Sequence, residues 1–252
     1  MKRILIILFC LSANMISAKV NEIDFHHLSS SLIRIYSKQI QELSGNLKIT
    51  LKDAHNENPN SYASKRENGV WEVTIISSLL QLEQIGPASL GMILCHEIGH
   101  FLGGQPYVIG RQLTAAVRAR APKKMSAEGQ ADYFASQFCF KELVHTLPGL
   151  LYETHFYPID TVTENNCQDD TCIKSIHTSY ETTLVYQELM RHFDVHESFF
   201  GNLDSPPTDR TLNYVGEYPT LECRFETFVS GLTCDETKCP SRPSCWFLNS
   251  LN

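Results

Sequence analysis

From Ile23 to Leu43, apolar residues recur at Phe25, Leu28, Leu32, Ile33, Ile35, Tyr36 and Ile40. That spacing lines one side of a helix, which Ser44-Gly45-Asn46 ends. Leu47, Ile49 and Leu51 then alternate with Lys48, Thr50 and Lys52, the period-2 pattern of a strand. Asp53 to Gly69 is polar and reads as a loop. Val70 to Ile76 predicts a second strand, with Trp71, Val73 and Ile75 on one face. Gly86-Pro87 opens a helix that runs to Leu102 and stops at Gly103-Gly104. Another long helix is expected from about Ala127 to Val144, with Ser126 as N-cap. Residues 146–176 read as irregular, and a further helix spans about Ser179 to Phe193. Ser205-Pro206-Pro207 breaks the chain before a last short helix. The pattern shows no internal repeat. It predicts an α+β fold, mainly helical, with a small antiparallel sheet preceding the Gly86–Leu102 helix.

The N-terminus has a different character. Lys2 and Arg3 precede an apolar run from Ile4 to Leu11, and small and polar residues lead to Ala18. This is the layout of a secretory signal peptide over residues 1–18. The run falls well short of the roughly 20 apolar residues that span a bilayer. The expected product is exported, periplasmic or secreted, with no transmembrane segment in the mature chain. Losing Lys2 and Arg3 moves the formal net charge from -7 to -9. That acidity argues against a nucleic-acid partner. Residues 19–232 are expected to form one domain, and 233–252 a Cys-rich tail packed on it.

The candidate chemistry centres on His96-Glu97-Ile98-Gly99-His100. Two His four apart on a helix share a face and can chelate one ion. Glu97 flanks that face, where its carboxylate can serve as a general base toward water activated by the metal. A catalytic zinc site needs a third protein ligand and an open fourth position. Glu128 is the candidate, at the start of the next predicted helix. Asp132, four residues on, shares its face and can accept the ring N–H of a metal-bound His.

His96 to His100, followed by Glu128 and Asp132, resemble the gluzincin clan of zinc metallopeptidases. More closely, they resemble the family of CaaX prenyl-protein endopeptidases, membrane heat-shock proteases and their soluble periplasmic relatives. Asn60-Ser61-Tyr62-Ala63, followed by the Trp71–Ile76 strand, is similar to that family's Asn-Ala segment and edge strand. Ser205-Pro206-Pro207-Thr208-Asp209-Arg210 is similar to its C-terminal His-Pro motif ending in Arg. Ser205 stands where the family commonly has His, so that residue's role does not carry over. The resemblance implies a zincin-like fold, one catalytic Zn2+ and a peptide or protein substrate. It implies hydrolysis of peptide bonds, with Arg210 as candidate oxyanion donor and Tyr214 and His177 as competitors. It also implies that the Val70–Ile76 strand binds the substrate backbone at its edge. The competing reading is a periplasmic chaperone-like or binding protein whose zinc site is structural or regulatory.

Between the two ligand helices, residues 105–125 carry Arg111, Arg118, Arg120, Lys123 and Lys124 and no acid. Such runs are usually solvated, and that reading is favoured over a cationic rim for anionic substrates. Eight Cys remain after residue 18, an even count that suggests disulfides in an exported chain. Straight antiparallel helices with Glu128 level with His100 would leave Cys95 and Cys139 too far apart to bond, so both are expected as buried free thiols. The other six are expected to pair locally: Cys167 with Cys172, Cys223 with Cys234, and Cys239 with Cys245.

Overall fold

The computed structural model describes residues 20–66, 68–107, 125–197, 219–235 and 242–247. Helix α1 is Glu22–Glu42. Asn21 caps it, its Oδ1 accepting the Ile23 and Asp24 N–H groups at 2.8 and 3.1 Å. Phe25, Leu28, Leu32, Tyr36 and Ile40 form its buried stripe, as their spacing predicts.

Strands β1 (Asn46–Lys52), β2 (Ser61–Lys65) and β3 (Val70–Ile76) follow, in the spatial order β1-β3-β2. β2 and β3 are antiparallel, but β1 and β3 are parallel, so the sheet is mixed rather than antiparallel. The reason is β2, which lies inside the stretch expected to be a loop. It takes the hairpin partnership with β3 and leaves β1 to join from the opposite side. Ser61-Tyr62-Ala63-Ser64-Lys65 shows no apolar alternation, so periodicity could not reveal it. A second correction follows. β3 is the central strand, with neighbours on both edges, and cannot bind a further backbone. The edge strand beside the next helix is β2.

That helix, α2 (Pro87–Leu102), is the axis of the fold. Every residue from Ala88 to Phe101 is buried. Its Leu90, Ile93, Leu94 and Ile98 share one core with Leu28 and Leu32 of α1, Val73 and Ile75 of β3, and helices further along the chain. Pro87 occupies the first turn, where its missing N–H costs nothing. The N–H of Gly86 and the Ser89 hydroxyl both donate to Glu181 Oε1, at 3.0 and 2.6 Å. A buried carboxylate thus sits on the positive end of the helix dipole.

Helix α3 (Glu128–Phe134) leads through a π-wound turn, Ala135–Cys139, into α4 (Phe140–Thr146). The expected N-cap is one residue off. Ala127 holds that position without a side-chain cap, and Ser126 instead bonds to the end of α2. Residues 146–176 are not irregular throughout, because they hold α5 (Asp160–Asn166) and the start of α6 (Asp170–His192). α6 starts at Asp170 rather than Ser179, since Asp169 caps a polar first turn that lacks an apolar stripe. Helix α7 is Leu221–Leu232. Among the described residues no helix is long and apolar enough to cross a membrane.

Among the described residues three cysteine pairs are bonded as disulfides. Cys167–Cys172 is the expected local pair. Cys95 and Cys139 are bonded, with Cα atoms 5.5 Å apart, and are not free thiols. The helices register at Gly99 against Ala131, not at His100 against Glu128. That change cuts the longitudinal offset from about 9 Å to about 6 Å on straight helices. The π turn, with an extra residue per turn, takes up more of it. Cys223 pairs with Cys245, so the expected Cys223–Cys234 and Cys239–Cys245 pairs do not form. Trp246 decides this. It packs against Gly129, where a Cβ would lie 2.3 Å from the indole, and its Nε1–H donates to Thr227 Oγ1 at 2.8 Å. The tail is thereby drawn onto α3 and α7, carrying Cys245 to Cys223.

Candidate metal centre

His96, Glu97 and His100 lie in the buried last turns of α2, and Glu128 opens α3. The two helices touch at Gly99, where a Cβ would come within 2.7 Å of the Ala131 carbonyl and 2.9 Å of its Cα. Only glycine permits this approach. It brings Glu128 across to the histidines. Glu128 Oε2 lies 3.2 Å from His96 Nε2, and Oε1 lies 3.7 Å from His100 Nε2. One ligand atom from each of the three residues falls within a common 4.8 Å span. Tetrahedral zinc with bonds of about 2.0–2.2 Å places its ligand atoms about 3.3 Å apart. The triad therefore forms a group that could hold a metal ion.

The opposite ring nitrogens show why both Nε2 atoms face inward. His96 Nδ1–H donates to Asp132 Oδ1 at 2.7 Å. His100 Nδ1–H donates to the Ser126 carbonyl at 2.9 Å. Each bond fixes a tautomer with a lone pair on Nε2, the arrangement that orients metal-ligating imidazoles. Asp132 is fully buried and is held by Arg224 of α7, whose Nε and Nη2 donate to its two oxygens at 2.9 and 2.7 Å. The guanidinium also lies over the Tyr186 ring, 3.7 Å from its centroid.

Charge in this pocket is organised around a cation. Burial opposes charging His96, but the charge and hydrogen bond of Asp132, with the hydrogen bond of Glu128, outweigh it and raise the imidazole to about 10. Burial likewise opposes ionising Glu128, yet the charge of His100 and the contacts of His96 lower it to about 2.

Glu97 is 4% exposed. Its Oε1 accepts a hydrogen bond from the Ser61 hydroxyl of β2 at 2.6 Å. Sequence reasoning anticipated His96, Glu97, His100, Glu128 and Asp132, and the structure gathers all five. It missed three neighbours. Arg224 is a cation on the apolar stripe of α7, beside Leu221, Phe225 and Phe228, and that position was a legible signal. Tyr186 carried none, and Ser61 stood only within the Asn60–Ala63 segment, without a role of its own. Arg210, Tyr214 and the 108–124 part of the cationic segment lie outside the described residues. His177 accepts the Tyr157 N–H at 3.0 Å and packs against Phe156, so its Nδ1 is engaged with backbone. No protein-family model, curated protein or solved structure matches the chain.

Proposed function

We propose that this chain is an exported zinc endopeptidase with a gluzincin-like centre, built from His96, His100 and Glu128. The observation that carries the reading is convergence. Two helical imidazoles with fixed tautomers and a carboxylate from the next helix meet beside a second carboxylate, Glu97, that sits on the same helix but outside the ligand set. A purely structural zinc site would be closed by a fourth ligand, and His96, His100 and Glu128 are the only such group among the described residues. Zinc held by His96, His100 and Glu128 would polarise a carbonyl and lower the pKa of water to about 7. Glu97 takes a proton from the attacking water and delivers it to the leaving amine. Asp132 and Arg224 hold His96 in position throughout.

The substrate is an extended peptide. β2 pairs only with β3 among the described residues, which leaves its other edge to accept a backbone strand. Ser61, at the start of β2, stands beside Glu97. A peptide on that edge therefore passes the general base. Export is supported by the disulfides, which persist in oxidising compartments.

The test is a peptide-library digest with zinc content measured on the same samples. The wild type is expected to hold zinc and cleave. Glu97→Gln is expected to keep zinc and lose cleavage by about 100-fold or more. Undiminished cleavage by that variant would overturn the mechanism. A zinc-loaded wild type that cleaves nothing would favour the binding-protein reading.

A further inference from the structure

We propose that Ser61 is a positioning residue for Glu97, holding the general base in line from the same strand that receives the substrate. The proposal rests on the endopeptidase reading above. Among the described residues the Ser61 hydroxyl is the one group that hydrogen-bonds the Glu97 carboxylate, at 2.6 Å. The cations nearby are committed elsewhere, with Arg224 on Asp132 and both imidazoles on their own acceptors. A glutamate has three rotatable bonds and loses rotamer entropy when fixed. Helix packing fixes its stem, but something must orient the carboxylate plane. Ser61 binds Oε1, and among the described residues no hydrogen bond engages Oε2, which is left for proton transfer.

Ser61 is itself well anchored. Its N–H donates to Asn60 Oδ1 at 2.9 Å, and the Asn60 carbonyl accepts the Ile76 N–H at 3.0 Å. In the β2–β3 register it opposes Ile75, which is fully buried. The hydroxyl thus projects from a sheet position onto α2, so base and bound peptide share one rigid reference. A displacement of about 1 Å at a reacting group can cost up to 100-fold in rate.

The experiment compares kcat, KM and zinc content for the wild type, Ser61→Ala and Ser61→Thr on one cleaved peptide, with circular dichroism confirming the fold. Ser61→Ala should lower kcat roughly tenfold, within the range for misplaced groups. KM and zinc content should stay as in the wild type. Ser61→Thr, which keeps a hydroxyl at the same carbon, should recover most of kcat. Three outcomes overturn the proposal: an unchanged kcat in Ser61→Ala, a loss confined to KM, or a loss of zinc. A failure of the endopeptidase reading looks different, because the wild type itself would then cleave nothing.

Discussion

Arg224 grips Asp132 through two hydrogen bonds, and Asp132 in turn accepts from the ring of His96. The pair is buried, with side-chain exposures of 6% and 0%. Removing the cation would break a buried ion pair and leave Asp132 with His96 as its remaining partner, which costs about 3–5 kcal/mol. Arg224→Met should therefore lower unfolding stability by that order in a denaturant titration. With Asp132 no longer anchored, zinc affinity should fall roughly 10–100-fold in a chelator competition. Unaltered zinc affinity would show that Arg224 serves stability alone.

Gly99 holds α2 and α3 in contact, and the atoms a Cβ would meet there are backbone. Gly99→Ala should cost about 1–3 kcal/mol of overpacking strain. It should also weaken zinc binding, because Ala131 adjoins Asp132. Gly91→Ala is the control. Its Cβ would meet the Leu143 Cδ2 methyl at 3.0 Å, a flexible side-chain end. That variant should stay near wild type in both stability and zinc affinity.

The Cys95–Cys139 bond closes a separation of 44 residues, for which chain entropy suggests about 4 kcal/mol. It also ties the turn before His96 to the end of the π segment. The double variant Cys95→Ala/Cys139→Ala should unfold at clearly lower denaturant concentration. Equal midpoints for the two proteins would contradict a stabilising role.

Glu181 supplies the pH dependence. Burial raises its carboxyl above the ordinary glutamate value, against the opposing hydrogen bonds and charge from Ser89, His155, Gly86 and Tyr157. Below the unfolded value, about 4.3, the group is neutral in both states. As pH rises through the higher folded value, the folded protein must carry a buried charge, so stability is lost. Glu181→Gln keeps an acceptor for Gly86 and Ser89 but cannot ionise. The stability of the wild type relative to this variant should therefore fall as pH rises above the unfolded value. Parallel stability curves would contradict the assignment.

Much of the candidate site was legible in the sequence because local geometry governs it. Residues four apart on a helix share a face in any fold, so His96 and His100 were placed together by spacing alone. Glu128 and Asp132 followed from the same rule on the next helix. The α1 stripe, the β1 alternation and the Gly86–Leu102 boundaries were equally local. Arg224 was readable in principle, as a cation on an apolar stripe.

The rest depended on contacts between segments far apart in the chain. β2 has no alternation of its own and exists because β3 pairs with it, which turned the sheet mixed and moved the free edge from β3 to Ser61–Lys65. The disulfide at Cys95 depended on where two helices touch, and Gly99 against Ala131 set that register. The pairing of Cys223 depended on an indole from the tail finding Gly129 and Thr227. Periodicity encodes which residues share a face of an element, and so the sequence by itself determined that His96 and His100 stand together. Register, sheet order and cross-links are decided by close packing between faces, and only the tertiary structure contains that.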